Sequence, residues 1–161
     1  MTTIFHLPES RIQNVQDEIA AHIRELPLFR AHAIPVASED EGDLVSKIAV
    51  ALDQGLGLFI LVTIYEGASP VTNRPGPKID RTKVVVGLWS NPTLHPDKPR
   101  IKPMLEHLAT SLHLYQPRSA HAPLEVDDPL FKRLPWRGAI HYELFFRTII
   151  ILSNQTKGVT I

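Results

Sequence analysis

The sequence predicts an α+β fold, with helices packed on a mainly antiparallel sheet in the order α-β-α-β-β-α-β-β. Three observations predict it. Apolar residues recur at helical spacing in three separate segments. Between them lie short runs rich in β-branched and aromatic residues. In two places strand-like runs follow one another directly, which favours hairpins over crossovers.

The first helix opens at a capping box, Ser10 with Gln13 three residues on. Ile12, Val15, Ile19, Ile23 and Leu26 then form one stripe, with Gln16, Asp17 and Arg24 off it, and Pro27 stops the helix. So narrow a stripe suits a helix that lies on a sheet with its other side wet. Ala31 to Ala37 reads as a short strand whose Pro35 favours an edge position or a bulge. "SEDEGD" is an acidic turn, and its Asp43 can cap a second helix burying Leu44, Val45, Ile48, Ala51 and Leu52. Gly55 ends that helix. The pair Gly55 and Gly57 follows a helix and precedes a strand, the reverse of a phosphate loop, so it reads as a cap and turn.

Leu58 to Tyr65 and Thr82 to Ser90 are buried strands, joined by a long hairpin loop from Glu66 to Lys83. Asn91 to Pro99 is a proline-rich connector. A third helix starts between Arg100 and Pro103 and buries Ile101, Met104, Leu105, Leu108 and Leu112. Leu124 to Val126 is a short strand, followed by a loop containing Asp127, Asp128 and Pro129. The last strand, Ile140 to Leu152, puts Tyr142, Leu144, Phe146, Thr148, Ile150 and Leu152 on one face. His141, Glu143 and Arg147 go on the other, wetter face. The reading is one domain over 1–161, with its core at about 8–152 and a polar tail at 153–161.

Composition narrows the function. Cysteine is absent, which excludes disulfides, thiolate metal sites and a cysteine nucleophile. The longest apolar run is too short to span a bilayer, and no basic start followed by an apolar segment marks a signal peptide; a cytoplasmic protein without membrane contact is expected. The 17 basic and 17 acidic residues cancel, but unevenly. Residues 1–69 hold 10 acids and 4 bases, residues 70–102 hold 2 and 7, and the rest hold 5 and 6. An acidic and a basic patch on one chain can meet between neighbouring copies, head to tail.

Eight histidines invite a metal, yet no pair stands at i,i+4 on a helix and no carboxylate completes a ligand set, so neither metal nor cofactor is assigned. No nucleophile elbow occurs, and the chain is read as no enzyme. The basic stretch Arg74, Lys78, Arg81, Lys83, Lys98, Arg100 and Lys102 lacks the interleaved aromatics of a stacking platform, which argues against sequence-specific nucleic-acid binding and leaves a channel-facing basic surface.

One resemblance organises these elements. The run "IPVASEDEGDLVSKIAVALDQGLGLFILVTI", the strand "KVVVGLWSNP", the helix "MLEHLATSLHLYQP" and the ending "YELFFRTIII" stand in an order and texture. That order, over about residues 8 to 152, resembles the tail terminator, or tail completion, proteins of long-tailed bacteriophages. The resemblance implies a structural virion protein. Such a subunit would form a hexameric ring that caps the tail tube and joins it to the head. Its partners would be other copies, the tube protein and a head-completion or connector protein. Its place would be the virion tail, and the host cytoplasm during assembly. In such subunits a long hairpin loop projects toward a neighbour, the tube or the DNA passage. Here that loop would present Asn73, Arg74, Lys78, Asp80 and Arg81, and the acidic turn of a neighbour would present Glu39, Asp40, Glu41 and Asp43. The alternative is a small-molecule-binding or enzymatic α+β domain, marked by a perturbed histidine or aspartate in a deep apolar pocket.

Overall fold

A computed structural model describes residues 10–39, 42–68, 78–95 and 97–152, with the side chains of 68 and 78–81 left aside. The first helix, α1, spans Arg11–Glu25. The Gln13 N–H donates to Ser10 Oγ at 3.2 Å, so the cap is made, while the Gln13 amide turns forward to Asp17 Oδ1 at 2.8 Å. Val15, Ile19, Ala20 and Ile23 are wholly buried. Pro27 does more than end α1: it opens a short second helix, α2 (Pro27–Ala31), because its fixed φ and missing N–H suit a first turn. That helix takes Ala31 from the expected strand, and β1 shrinks to Val36–Ser38.

The remaining elements are α3 (Leu44–Asp53), β2 (Leu58–Ala68), β3 (Lys78–Ser90), α4 (Ile101–Leu112), β4 (Glu125–Leu134) and β5 (Ile140–Ile151). The strands form one sheet in the order β1-β2-β3-β5-β4. Three of its pairings are antiparallel, but β1 runs parallel to β2, so the sheet is mixed. A parallel pair needs a crossover, and α3 is that crossover. As the sequence suggested, Pro35 leads into an edge strand, and its carbonyl accepts the Ile60 N–H at 2.9 Å.

Helices α1 and α4 cover one face, closing over Val62, Val86, Leu88, Leu144 and Phe146. The expected buried set of α4 is observed, and Pro103 falls third in the helix, within the turn that tolerates it. On the other face α3 covers Ala37, Phe59 and Trp89 with Ile48, Ala51 and Leu52. Val45 was expected on that buried face and is instead 77% exposed. The glycines end α3 as expected: the Gly55 N–H reaches the Val50 carbonyl, and Gly57, at φ +75°, turns the chain into β2.

Three polar residues that the periodicity put off the stripe of α1 bond to the sheet: Gln16, which is buried, and Asp17 and Arg24, which stay exposed as expected. Strand β1 ends at Ser38 opposite Val62, so the Ile64 N–H, on the side of β2 that pairs with β1, has no ladder partner. Buried Gln16 accepts it through Oε1 at 3.0 Å. Asp17 Oδ1 accepts the Ser38 hydroxyl at 2.6 Å, and Arg24 Nε donates to the Val36 carbonyl at 2.9 Å. Periodicity cannot see such bonds, because they answer to the neighbouring strands.

The C-terminal hairpin also differs. Asp127, Asp128 and Pro129 lie within β4, which runs on to Leu134 past a register shift between Val126 and Phe131. On β5 the expected core face is observed, with Tyr142, Leu144, Phe146, Thr148 and Ile150 buried. His141 is the exception on the other face, at 4% exposed. The expected polar tail at 153–161 lies outside the described residues.

Phe146→Ala should cost about 3–5 kcal/mol by urea unfolding, since it empties a fully buried ring site. Glu143→Ala, on the other face, should cost on the order of 0.5 kcal/mol. Gln16→Leu should cost about 1–3 kcal/mol by stranding the Ile64 N–H. Equal losses at Phe146 and Glu143 would contradict the register.

Candidate functional site

The long hairpin is built by strand rather than loop. Of the stretch Glu66 to Lys83, residues 66–68 continue β2 and 78–83 belong to β3, leaving 69–77 outside the described residues. The ladder runs to Ala68 opposite Arg81, and β5 keeps pace on the other side, with Ile151 opposite Lys78. Past Ile64, however, β2 leaves the core: Tyr65, Glu66 and Gly67 are exposed. The result is an arm of paired strands exposed along β2, while Thr82, Thr148 and Ile150 beside it stay buried.

Lys78, Asp80 and Arg81 take strand positions on this arm. Asn73 and Arg74 lie outside the described residues, as do Asp40 and Glu41 of the acidic turn. The turn leaves β1 beside Val62, with the Glu39 N–H on the Val62 carbonyl, so it sits toward the arm end of the sheet. Glu39 accepts the Thr63 hydroxyl. Asp43 caps α3, accepting the Ser46 N–H at 3.1 Å and its hydroxyl at 2.6 Å. Those bonds, the hydroxyl first, hold its carboxyl below the usual aspartate range.

The basic stretch does not form one patch. Lys83 lies 3.6 Å from Glu66 across the hairpin. Lys98 is part-buried and donates to the Gly57 carbonyl at 3.2 Å and to that of Asn91, pinning the connector; burial lowers its pKa. Arg100 and Lys102 stand exposed at the start of α4.

A feature that periodicity missed lies beside α3. The His141 imidazole stacks on Trp89 at 4.1 Å, and Trp136 stands edge-on to both, at 5.6 Å from Trp89 and 5.7 Å from His141. Neither His141 nitrogen nor Trp89 Nε1 has a hydrogen-bond partner among the described residues. Burial pushes the His141 pKa down to about 4 and raises that of Glu143, whose Oε1 is 3.9 Å from His141 Nε2. The signal for this stack was Gly87 inside a strand of bulky residues: a Cβ there would come within 2.6 Å of the Trp89 ring.

Two cavities flank this stack. One, about 290 Å³, is lined by Thr63, Tyr65, Val85, Lys132, Glu143 and Phe145; it reaches Glu143 but not the imidazole. The other is an apolar groove of about 520 Å³ between α3 and the β1 edge, walled by Pro35, Val36, Ala37, Val50, Ala51 and Phe59, with Ser46 and Lys47 at its side. Among the described residues no group of three or more histidines and carboxylates is placed to hold a metal ion. No helix among them is long and apolar enough to cross a membrane. What these surfaces can do chemically is bind apolar and charged protein groups.

No protein-family model matches the chain, and no curated protein matches it either.

The His141 shift sets a pH dependence. Its folded pKa of about 4 lies below the ordinary 6.5, so the unfolded chain takes up the proton first as pH falls. Stability from this group is therefore full above 6.5 and is lost between 6.5 and about 4, by at most ~1.4 kcal/mol per pH unit. Glu143 has the opposite sign. Its raised pKa makes the folded chain take up a proton first, which favours the fold on acidification. Glu143→Gln removes that opposition. Adding His141→Phe in this background should flatten the change of urea midpoint from pH 7 to 4.5; an unchanged slope would show that the imidazole is not held neutral.

Proposed function

We propose that this chain is a structural, non-enzymatic ring subunit of the tail terminator kind. The ring caps a phage tail tube and joins it to the head. The observation that carries the reading is the β2–β3 arm, whose ladder continues to Ala68 and Arg81 after β2 has left the core at Tyr65. Three backbone rungs past Tyr65, with Glu66 and Gly67 exposed, add little to this fold, whereas a hairpin arm open along β2 can meet a neighbour or a tube. The charge pattern supports the same reading, with an acidic turn at the arm end of one edge strand and Lys78 and Arg81 on the arm. In the ring, copies of this chain are one partner. The tube protein and a connector are the others, and DNA passes through with non-specific contact. The protein then resides in the virion tail, after assembly in the host cytoplasm.

The small-molecule alternative has its foothold in the cavity that holds Tyr65, Lys132 and Glu143. The one strongly shifted histidine does not line it, so a proton-transfer pair facing a substrate is not assembled there.

Replacing 69–77 by a short glycine linker should leave cooperative unfolding intact and abolish ring formation, read by native mass measurement and urea titration. Reversing Arg74 and Lys78 to Glu should weaken association, and adding Glu39→Lys and Asp40→Lys should restore part of it, because the pairing is then swapped. Association should also weaken with salt, since exposed charges are screened beyond about 8 Å at physiological ionic strength. A chain that stays monomeric at every concentration and salt, alone and with tail tubes, would overturn the ring.

A further inference from the structure

We propose that the groove between α3 and β1 receives the β4–β5 turn of the next copy, residues 134–139 with Trp136 as the anchor. The contact rests on the ring reading above and says where its subunits touch.

The two surfaces lie on opposite edges of one sheet and on one rung of it. Val36 pairs with Ile60, Ile60 with Leu88, Leu88 with Tyr142, and Tyr142 with Arg133. A second copy set edge to edge at the same level therefore brings its Arg133 and the adjoining turn against the first copy's Val36, the floor of the groove. The two patches are different, so the contact is head-to-tail, the kind that closes into a ring when the rotation per copy permits.

Their chemistry matches. Around the groove the described acids are Glu39, Asp43 and Asp53, against Lys47 and against Arg24, which bonds the Val36 carbonyl. Residues 130–139 carry Lys132, Arg133 and Arg137 and no acid. Lys47 stands at the groove's side, so the arriving cations belong on the outer rim, toward Asp53. Asp53 is exposed in the last turn of α3, where a carboxylate opposes the helix dipole. Among the described residues no side chain is paired with it there.

Both surfaces also expose apolar groups that the fold covers only in part. Val50, on the groove wall, is 53% exposed, although valine is a weak helix former. Trp136 is 42% exposed, and its ring is held edge-on by Trp89 and His141. A fixed indole flanked by two arginines has the composition of a binding hot spot and gives up little freedom on docking.

The chain has no cysteine, so single cysteines report contacts directly. Val50→Cys and Arg137→Cys, made separately and mixed, should join through a short bismaleimide into a heterodimer. Neither alone should do so, and the double variant should give a ladder of covalent oligomers. Arg137→Glu should weaken association about 30-fold, the loss typical of a hot-spot residue, and Asp53→Lys in the same chain should recover part of it. The Asp53 change relieves the helix end and should not harm folding. If rings form but the mixed cysteines do not join, this contact is wrong and the ring reading stands. Crosslinking of either single variant with itself as efficiently as the mixture would mean a two-fold contact, and would overturn the proposal. A chain that remains monomeric throughout removes both the contact and the ring.

Discussion

One short helix has to cover the second face of a five-stranded sheet. With ten residues, α3 is about 15 Å long, whereas β2, β3 and β5 have 11 to 13 residues each, at about 3.3 Å per residue. The first face has α1 and α4 and closes completely, from Leu58 and Leu88 at one end to Ile150 at the other. The second face closes only over Ala37, Phe59 and Trp89. What lies outside that footprint must be covered by something else, made polar, or left exposed, and the molecule does all three.

The aromatic stack is the first solution. Trp89 lies at the border of the α3 footprint, and the β4–β5 turn folds Trp136 back to its edge. Gly87 gives the Trp89 ring a flat place to lie, and His141 closes the stack from β5. Stacking on Trp89 keeps the imidazole out of water at the cost of hydrogen bonds to both its nitrogens, which favours its neutral form. Farther along the same face the residues are mixed, with Lys132 opposite Glu143 and Tyr65 open to water. A face with that composition can remain wet.

Much of the layout was legible in the sequence, because it rests on local rules. The stripe of α1, the Asp43 cap, the glycine stop of α3, the Pro103 start of α4 and the core face of β5 all follow from spacing or from a single residue's conformational preference. The misses have a common cause as well. Gln16 and His141 look solvent-facing by periodicity, but a backbone N–H past the end of β1 and a tryptophan ring far along the chain decide where they go. Pro27 carries both a stop and a start, and only the packing of Phe29 selects the second. The interaction residues were the least legible. Side-chain charge is visible in sequence, but Asp43 and Lys98 turned out to be engaged in holding the backbone, while the groove beside Val50 is made by three segments at once.

The sheet edges decide how copies of such a chain can meet. An open edge strand invites ladder extension without limit, which gives fibres or aggregates rather than closed rings. Here β1 offers only three residues, and Arg24 of its own chain occupies the Val36 carbonyl. On the far edge, β4 carries Pro129, which has no N–H to give, and a register shift that bends the strand between Val126 and Phe131. Its exposed side chains include Glu125, Asp128, Lys132 and Arg133. Both edges are poor templates for another strand. Contact between copies must then run through side chains and grooves, where shape and charge fix one orientation and one rotation. A ring of definite size needs that constraint, because closure depends on the same rotation being repeated at every boundary.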